Sequence, residues 1–118
     1  MPEVTVRHRD DMDRDGKWLL VRRSLGLEAF GMNMVELAPG ESIPEHDESE
    51  RDHEEVFVVI DGSVTMVVEG EEHEAPAGTF VRLDPRPRRT AVNRGDGRAT
   101  LLIVSAPTTS GFEPLSWA

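Results

Sequence analysis

Cysteine is absent from this 118-residue chain. That excludes a disulfide, a thiolate nucleophile, an iron–sulfur cluster and any Cys-type zinc site. A metal would have to be held by imidazole nitrogen and carboxylate oxygen, and only His8, His46, His53 and His73 supply the nitrogen. Basic residues are scarce: 13 Lys and Arg stand against 23 Asp and Glu, for a net charge of −10 and a pI near 4.8. Sequence-independent binding to nucleic acid or to an anionic membrane needs the opposite balance, so no nucleic-acid or membrane partner is expected. No apolar run approaches membrane-spanning length, and Met1 to Asp15 is charged. Neither a signal peptide nor an anchor is expected, and the expected location is cytoplasmic. Sustained 3.6-residue periodicity is also missing, which predicts little helix.

What is present is a succession of short apolar runs separated by turn formers. Val4–Val6, Trp18–Val21 and Leu27–Leu37 come first, and Pro39-Gly40 stops the third. Glu55–Ile60 ends on Asp61-Gly62, Val64–Val68 on Glu69-Gly70, and Glu72–Glu74 on Pro76-Ala77-Gly78. Thr79–Leu83, Arg89–Asn93 and Ala99–Val104 complete about nine predicted strands. Asp-Gly between β-branched runs is a hairpin signal, because glycine accepts the positive φ of such turns. Many short strands at this spacing predict a sandwich, jelly roll or barrel, with one domain over 1–118 and neither linker nor repeat. The tail from Ala106 to Ala118, with Phe112 and Trp117, is expected to pack back on that domain.

Strand parity places Glu55 on one face with Phe57 and Val59, while Val56, Val58 and Ile60 occupy the other. A strand wet on one side alternates apolar with polar, so this sheet is expected to be covered on both. The cover would come from the N-terminal strands, from the tail, or from a second subunit, and a homodimer is the expectation. By type, Phe30, Met32, Met34, Phe57 and Phe80 are core formers, a few of which also line any pocket. An inward carboxylate such as Glu55 needs a partner, whether metal, arginine or ligand.

Eight carboxylates and two histidines lie between Glu41 and Glu55. Gly40 is followed after five residues by His46, and Glu55 after six residues by Gly62. Further on, Gly78, Asp84, Arg86, Arg89 and Asn93 form a second spaced set. In these two motifs the chain resembles the cupin superfamily, specifically a small cupin of the type-2 conserved-barrel kind, over roughly residues 27–104. The resemblance implies an all-β, double-stranded β-helix (a jelly-roll barrel) whose metal site uses three histidines and one glutamate. His46 matches the first histidine and Glu55 the glutamate. Glu48 stands at the second histidine position and Arg89 at the third. A guanidinium offers no lone pair and repels a divalent cation.

Two repairs of the implied site remain open. If the Glu55 strand begins early, His53 shares its face, and His46, His53, Glu55 and Glu48 form a ligand set for Mn, Fe, Ni or Zn. Otherwise no metal binds, and Arg89 pairs with Glu55, clamps an anionic ligand, or lies at the rim. The leading functional reading is a small-molecule-binding barrel with Arg89, Glu55, His46 and Phe57 toward the ligand. A metal-dependent oxygenase or isomerase acting on a small organic substrate is the alternative, and a structural or interaction module is the third class.

Overall fold

Short β-branched runs punctuated by glycine and proline leave little choice but extended structure, and the computed structural model, which describes residues 3–118, is built that way. A 3-10 turn at Arg9–Asp11 precedes β1 (Arg14–Asp15) and β2 (Trp18–Leu19). A single helical turn, α1 (Val21–Leu25), ends on Gly26 in the left-handed conformation. Then follow β3 (Gly31–Leu37), β4 (His53–Asp61), β5 (Ser63–Val68), β6 (Glu71–Pro76), β7 (Phe80–Leu83), β8 (Arg89–Val92) and β9 (Ala99–Pro107). They form two antiparallel sheets, one in the order β1-β2-β3-β9-β4-β7 and the other β6-β5-β8. Two packed antiparallel sheets with this connectivity make the double-stranded β-helix. None of the described helices is long and apolar enough to cross a membrane.

The segment before β4 extends the smaller sheet. Ser42 bridges to Val92 and His46 to Arg89, so residues 42–46 run antiparallel to β8 as an irregular fourth strand. Ile43, on this segment, is buried in the core. The core lies between the sheets. Val35 and Leu37 of β3, Phe57 and Val59 of β4, and Leu101 of β9 face Val64 and Met66 of β5. Each such side chain stabilises the fold by about 1.5–3 kcal/mol when fully buried.

Several expectations need correction. Val4–Val6 is not a strand, and Val21 opens the helix rather than extending β2. Asp61-Gly62 does not close a hairpin, because β4 and β5 lie in different sheets. Gly62, at φ 73°, turns a corner between them, and a Cβ there would meet the Arg98 carbonyl oxygen at 2.4 Å. The true hairpin is the next one, where Glu69 and Gly70, both at positive φ, join β5 to β6. A one-residue bulge between Val59 and Asp61 interrupts the pairing of β4 with β9 at Ile60, just before the corner. On β3 the core face carries Val35 and Leu37, so Met32 and Met34 point outward, half-buried; Phe30 and Phe80 are exposed. The tail is tied to the domain at Thr108, which donates to the Asp52 carbonyl, but its aromatics are not buried: Phe112 is 81% exposed and Trp117 82%.

Candidate functional site

Three backbone arrangements converge at one end of the barrel. β4 begins at His53, early enough that His53 shares the inward face with Glu55. His46 and Arg89 exchange two backbone hydrogen bonds, at 2.8 and 3.0 Å, so their side chains stand on the same face of the smaller sheet. Between them, the Glu48 amide donates to the Pro85 carbonyl at 2.8 Å and its own carbonyl accepts from the His53 amide at 3.2 Å. This folds Glu48 inward, where only 7% of it is exposed.

The side chains that result form a tight cluster. His46 Nε2 lies 3.5 Å from Glu48 Oε1 and 3.8 Å from Glu55 Oε1. One ligand atom from each of the three residues lies within 4.8 Å of the others. His46 Nδ1 is 2.8 Å from the Pro44 carbonyl oxygen. A carbonyl only accepts, so Nδ1 carries the proton and donates it, leaving Nε2 turned toward the two carboxylates. Backbone anchoring of the distal nitrogen is how metal-ligating histidines are commonly oriented.

Arg89 lies behind this cluster and is fully buried. Its Nη1 donates to the carbonyls of Pro85 and Pro87, and Nη2 to that of Asp84. Its Nε is 3.2 Å from Glu55 Oε1, yet neither atom makes an aligned hydrogen bond among the described residues. The contact is one of charge. Burial raises the Glu55 carboxyl above its ordinary value, and the negative charge of Glu48 adds to this; Arg89, His46 and His53 pull the other way.

In front of the cluster opens a cavity of about 680 Å³. His46, Glu48, His53 and Glu55 lie on its polar side together with Asn33 and Ser105, and Trp18, Leu27, Phe30 and Ile103 lie on its apolar side. Arg89 and Phe57 are not among the lining residues: Arg89 is held behind Glu55 by the rim carbonyls, and Phe57 is sealed in the core. Both stand outside the ligand-facing set in which the sequence reading placed them. Of the three roles open to Arg89, the geometry shows the internal pair with Glu55. His53 reaches the cavity, but its ring lies outside the three-residue cluster.

Arg51 was not anticipated. Its Nε is 3.2 Å from Glu48 Oε2, and the i,i+3 spacing from Glu48 was the available signal. Arg88 and Arg82 pair with Glu45 and Glu54 of the acidic segment, at 3.0 and 2.6 Å. Asn93 is structural, since its side-chain amide donates to the Leu37 and Gly97 carbonyls.

Residues 33–105 match the family described as Cupin domain. The chain belongs to the cupin family. A cupin protein from Bacteroides fragilis covers 99% of this chain and 94% of its own, with a TM-score of 0.82 at 19% identity. A Cupin 2 conserved barrel domain protein from Salinispora arenicola covers 93% and 92%, with a TM-score of 0.68 at 21% identity. A sugar phosphate isomerase of the cupin superfamily from Silicibacter pomeroyi is 27% identical over 77% of this chain and 59% of its own, with a TM-score of 0.67. At these identities the likenesses speak to the fold. No curated protein matches the sequence.

The cupin fold implies a metal, and the donor set can be tested against one. One imidazole nitrogen and two carboxylates suit a divalent ion such as Mn, Fe, Ni or Zn. The buried Glu55 Oε1 has no hydrogen bond among the described residues, leaving a lone pair for such an ion. Arg89 reduces that affinity by placing a fixed positive charge at the same oxygen. The residues therefore fit a three-ligand, weakened metal site.

Proposed function

We propose that this cupin is a small-molecule-binding barrel whose polar end is His46, Glu48 and Glu55 and whose apolar end is the Trp18, Leu27 and Phe30 wall. The observation that carries the reading is the convergence of three acceptor-bearing side chains on one wall of a cavity of about 680 Å³. A cavity in the range of about 300–1,000 Å³ accommodates a small organic ligand. When bound, a divalent ion would polarise an oxygen of that ligand. His46, Glu48 and Glu55 would hold it, and His53 would face the ligand from the same wall.

The test uses protein purified without chelator. Metal content is measured first, then a thermal-shift screen of small organic acids, sugars and amines is run with and without EDTA. Ligand stabilisation that survives EDTA and is lost in His46→Ala supports the binding-barrel reading. Near-stoichiometric metal, lost in His46→Ala and Glu55→Ala, would instead favour the second reading, a metal-dependent oxygenase or isomerase. One observation favours that alternative: the raised proton affinity of Glu55 beside an open cavity is a property used in general acid–base chemistry.

A further inference from the structure

The floor of the cavity is the inward face of the larger sheet, and strand register fixes what that floor carries. Val35 and Leu37 face the core, so parity puts Gly31 and Asn33 on the same face at the cavity end of β3. Gly31 pairs with Ser105, and Ser105 with Glu55, which sets glycine, hydroxyl and carboxylate side by side across β3, β9 and β4. The next row toward the core reads Asn33, Ile103 and Phe57. Trp18 pairs with Val35, which places it on the inward side and diagonal to Asn33. The backbone does not require glycine at position 31, since its φ is not positive. What Gly31 supplies is room: a Cβ there would stand 2.8 Å from Ser105 Oγ. Among the described residues neither the Ser105 hydroxyl nor the Asn33 amide has a hydrogen-bond partner, whereas His46 is held by the Pro44 carbonyl and Arg89 by three others. A hydroxyl and an amide, both half-buried, thus line the cavity uncommitted.

We propose, resting on the small-molecule-binding reading above, that Gly31, Asn33 and Ser105 form a hydroxyl-binding subsite beside Glu55. The ligand of the cavity is then a neutral polyhydroxylated compound, a sugar or a cyclic polyol. Hydrogen-bonding type favours that class. Ionised Glu48 and Glu55 only accept, while Ser105 and Asn33 each donate and accept. A hydroxyl does both, so adjacent hydroxyls on one ring satisfy carboxylate, serine and amide together. Charge disfavours the competitors. Glu28, Glu48 and Glu55 line the cavity against Arg22 and Arg51, and Arg89 behind Glu55 completes the balance. An anion seated at Ser105 would lie against Glu55, its neighbour across the strands. A cation would have to share Glu48 with Arg51 and Glu55 with Arg89, each already at 3.2 Å. Trp18 and Phe30 complete the fit, because the C–H face of a sugar ring packs on an aromatic surface while its hydroxyls turn to the polar side.

Isothermal titration of the full chain tests this with D-glucose, D-xylose and myo-inositol, set against gluconate, glucosamine and cyclohexanol. At least one neutral polyol is expected to bind about tenfold or more tightly than every charged or singly hydroxylated analogue. Ser105→Ala and Asn33→Ala should each weaken that polyol by about threefold to tenfold, as the loss of one hydrogen bond does. Gly31→Ala fills the space beside Ser105 Oγ and should weaken it further, with an unchanged far-ultraviolet circular dichroism spectrum. Tighter binding of gluconate, glucosamine or cyclohexanol overturns the ligand class and leaves the binding-barrel reading in place. Polyol binding that Ser105→Ala and Asn33→Ala both leave intact overturns the subsite. No binding by any of these compounds up to about 10 mM, beyond the range of weak specific binding, overturns the subsite and the binding-barrel reading together.

Discussion

Arg89 Nε stands 3.2 Å from Glu55 Oε1, with both side chains buried. The residue at the position of a cupin's third histidine has thus become the counter-ion of the glutamate. Removing one member of a buried pair leaves the other uncompensated, and here it also strips donors from the Asp84, Pro85 and Pro87 carbonyls. Arg89→Met should destabilise the fold by about 3–5 kcal/mol in urea denaturation. The double variant with Glu55→Leu should cost less than the two single changes summed. Strict additivity would show that the contact carries no coupling.

Arg89→His exchanges a fixed cation for a lone pair on the same face as His46. Divalent-metal affinity by isothermal titration should rise at least about tenfold, or about 1.4 kcal/mol. No gain would mean that the imidazole does not reach the cluster.

Stability of metal-free protein should carry the signature of Glu55. Burial, then Glu48, holds its carboxyl above the ordinary 4.5. A carboxyl that binds its proton more tightly folded than unfolded stabilises the fold in acid. That contribution disappears as pH rises from 4.5 through the raised folded value. Glu36, Asp47 and Glu72 are shifted downward and act with the opposite sign, losing stability as pH falls. They sit on the barrel exterior, where solvent screens them. Glu55→Gln should therefore flatten the decline of stability above pH 4.5 in denaturation curves taken across pH. An unchanged slope would falsify the assignment to Glu55.

The glycines at the two ends of the first motif should respond differently to alanine. Gly40 and Gly62 both have positive φ, which strains a substituted residue by about 1–3 kcal/mol. Around Gly40 there is open space, whereas at Gly62 a Cβ meets the Arg98 carbonyl oxygen at 2.4 Å and Ala99 Cα at 2.9 Å. Gly62→Ala should be clearly the more destabilising of the two by thermal unfolding.

Phe57 is buried in the core and does not line the cavity. Phe57→Ala should cost about 3–5 kcal/mol of stability. Ligand affinity of the folded fraction should stay within a fewfold of the wild type. A selective loss of affinity would return Phe57 to the site.

The fold was legible because it rests on local signals: turn glycines, β-branched runs and the offsets that tie Gly40 to His46 and Glu55 to Gly62. Parity placed Glu55 inward with Phe57 and Val59, and the structure agrees. Parity alone does not say which face of β3 meets the opposite sheet, so Met32 and Met34 were read as core when they point outward. Asp61-Gly62 misled for a related reason. A positive-φ glycine serves a hairpin and a corner between sheets equally well, and only long-range pairing separates them. Glu48 was named as a candidate ligand from its offset in the motif, but nothing set it apart as buried among the acids around it. Its burial follows from the Pro85 carbonyl accepting its amide, a contact across 37 residues of chain that no window of sequence displays. Arg89 was singled out as one of two positions that depart from the ligands implied by the resemblance, but its ties to three carbonyls were invisible.

Those ties have a mechanical consequence. The rim loop from Asp84 to Arg88 contains two prolines and so has few amides with which to hold itself, and Arg89 serves as its clasp. The same guanidinium faces Glu55, which faces the cavity. Occupancy that drew the Glu55 carboxylate forward would alter the pull on the clasp, linking the state of the cavity to the order of the barrel's rim.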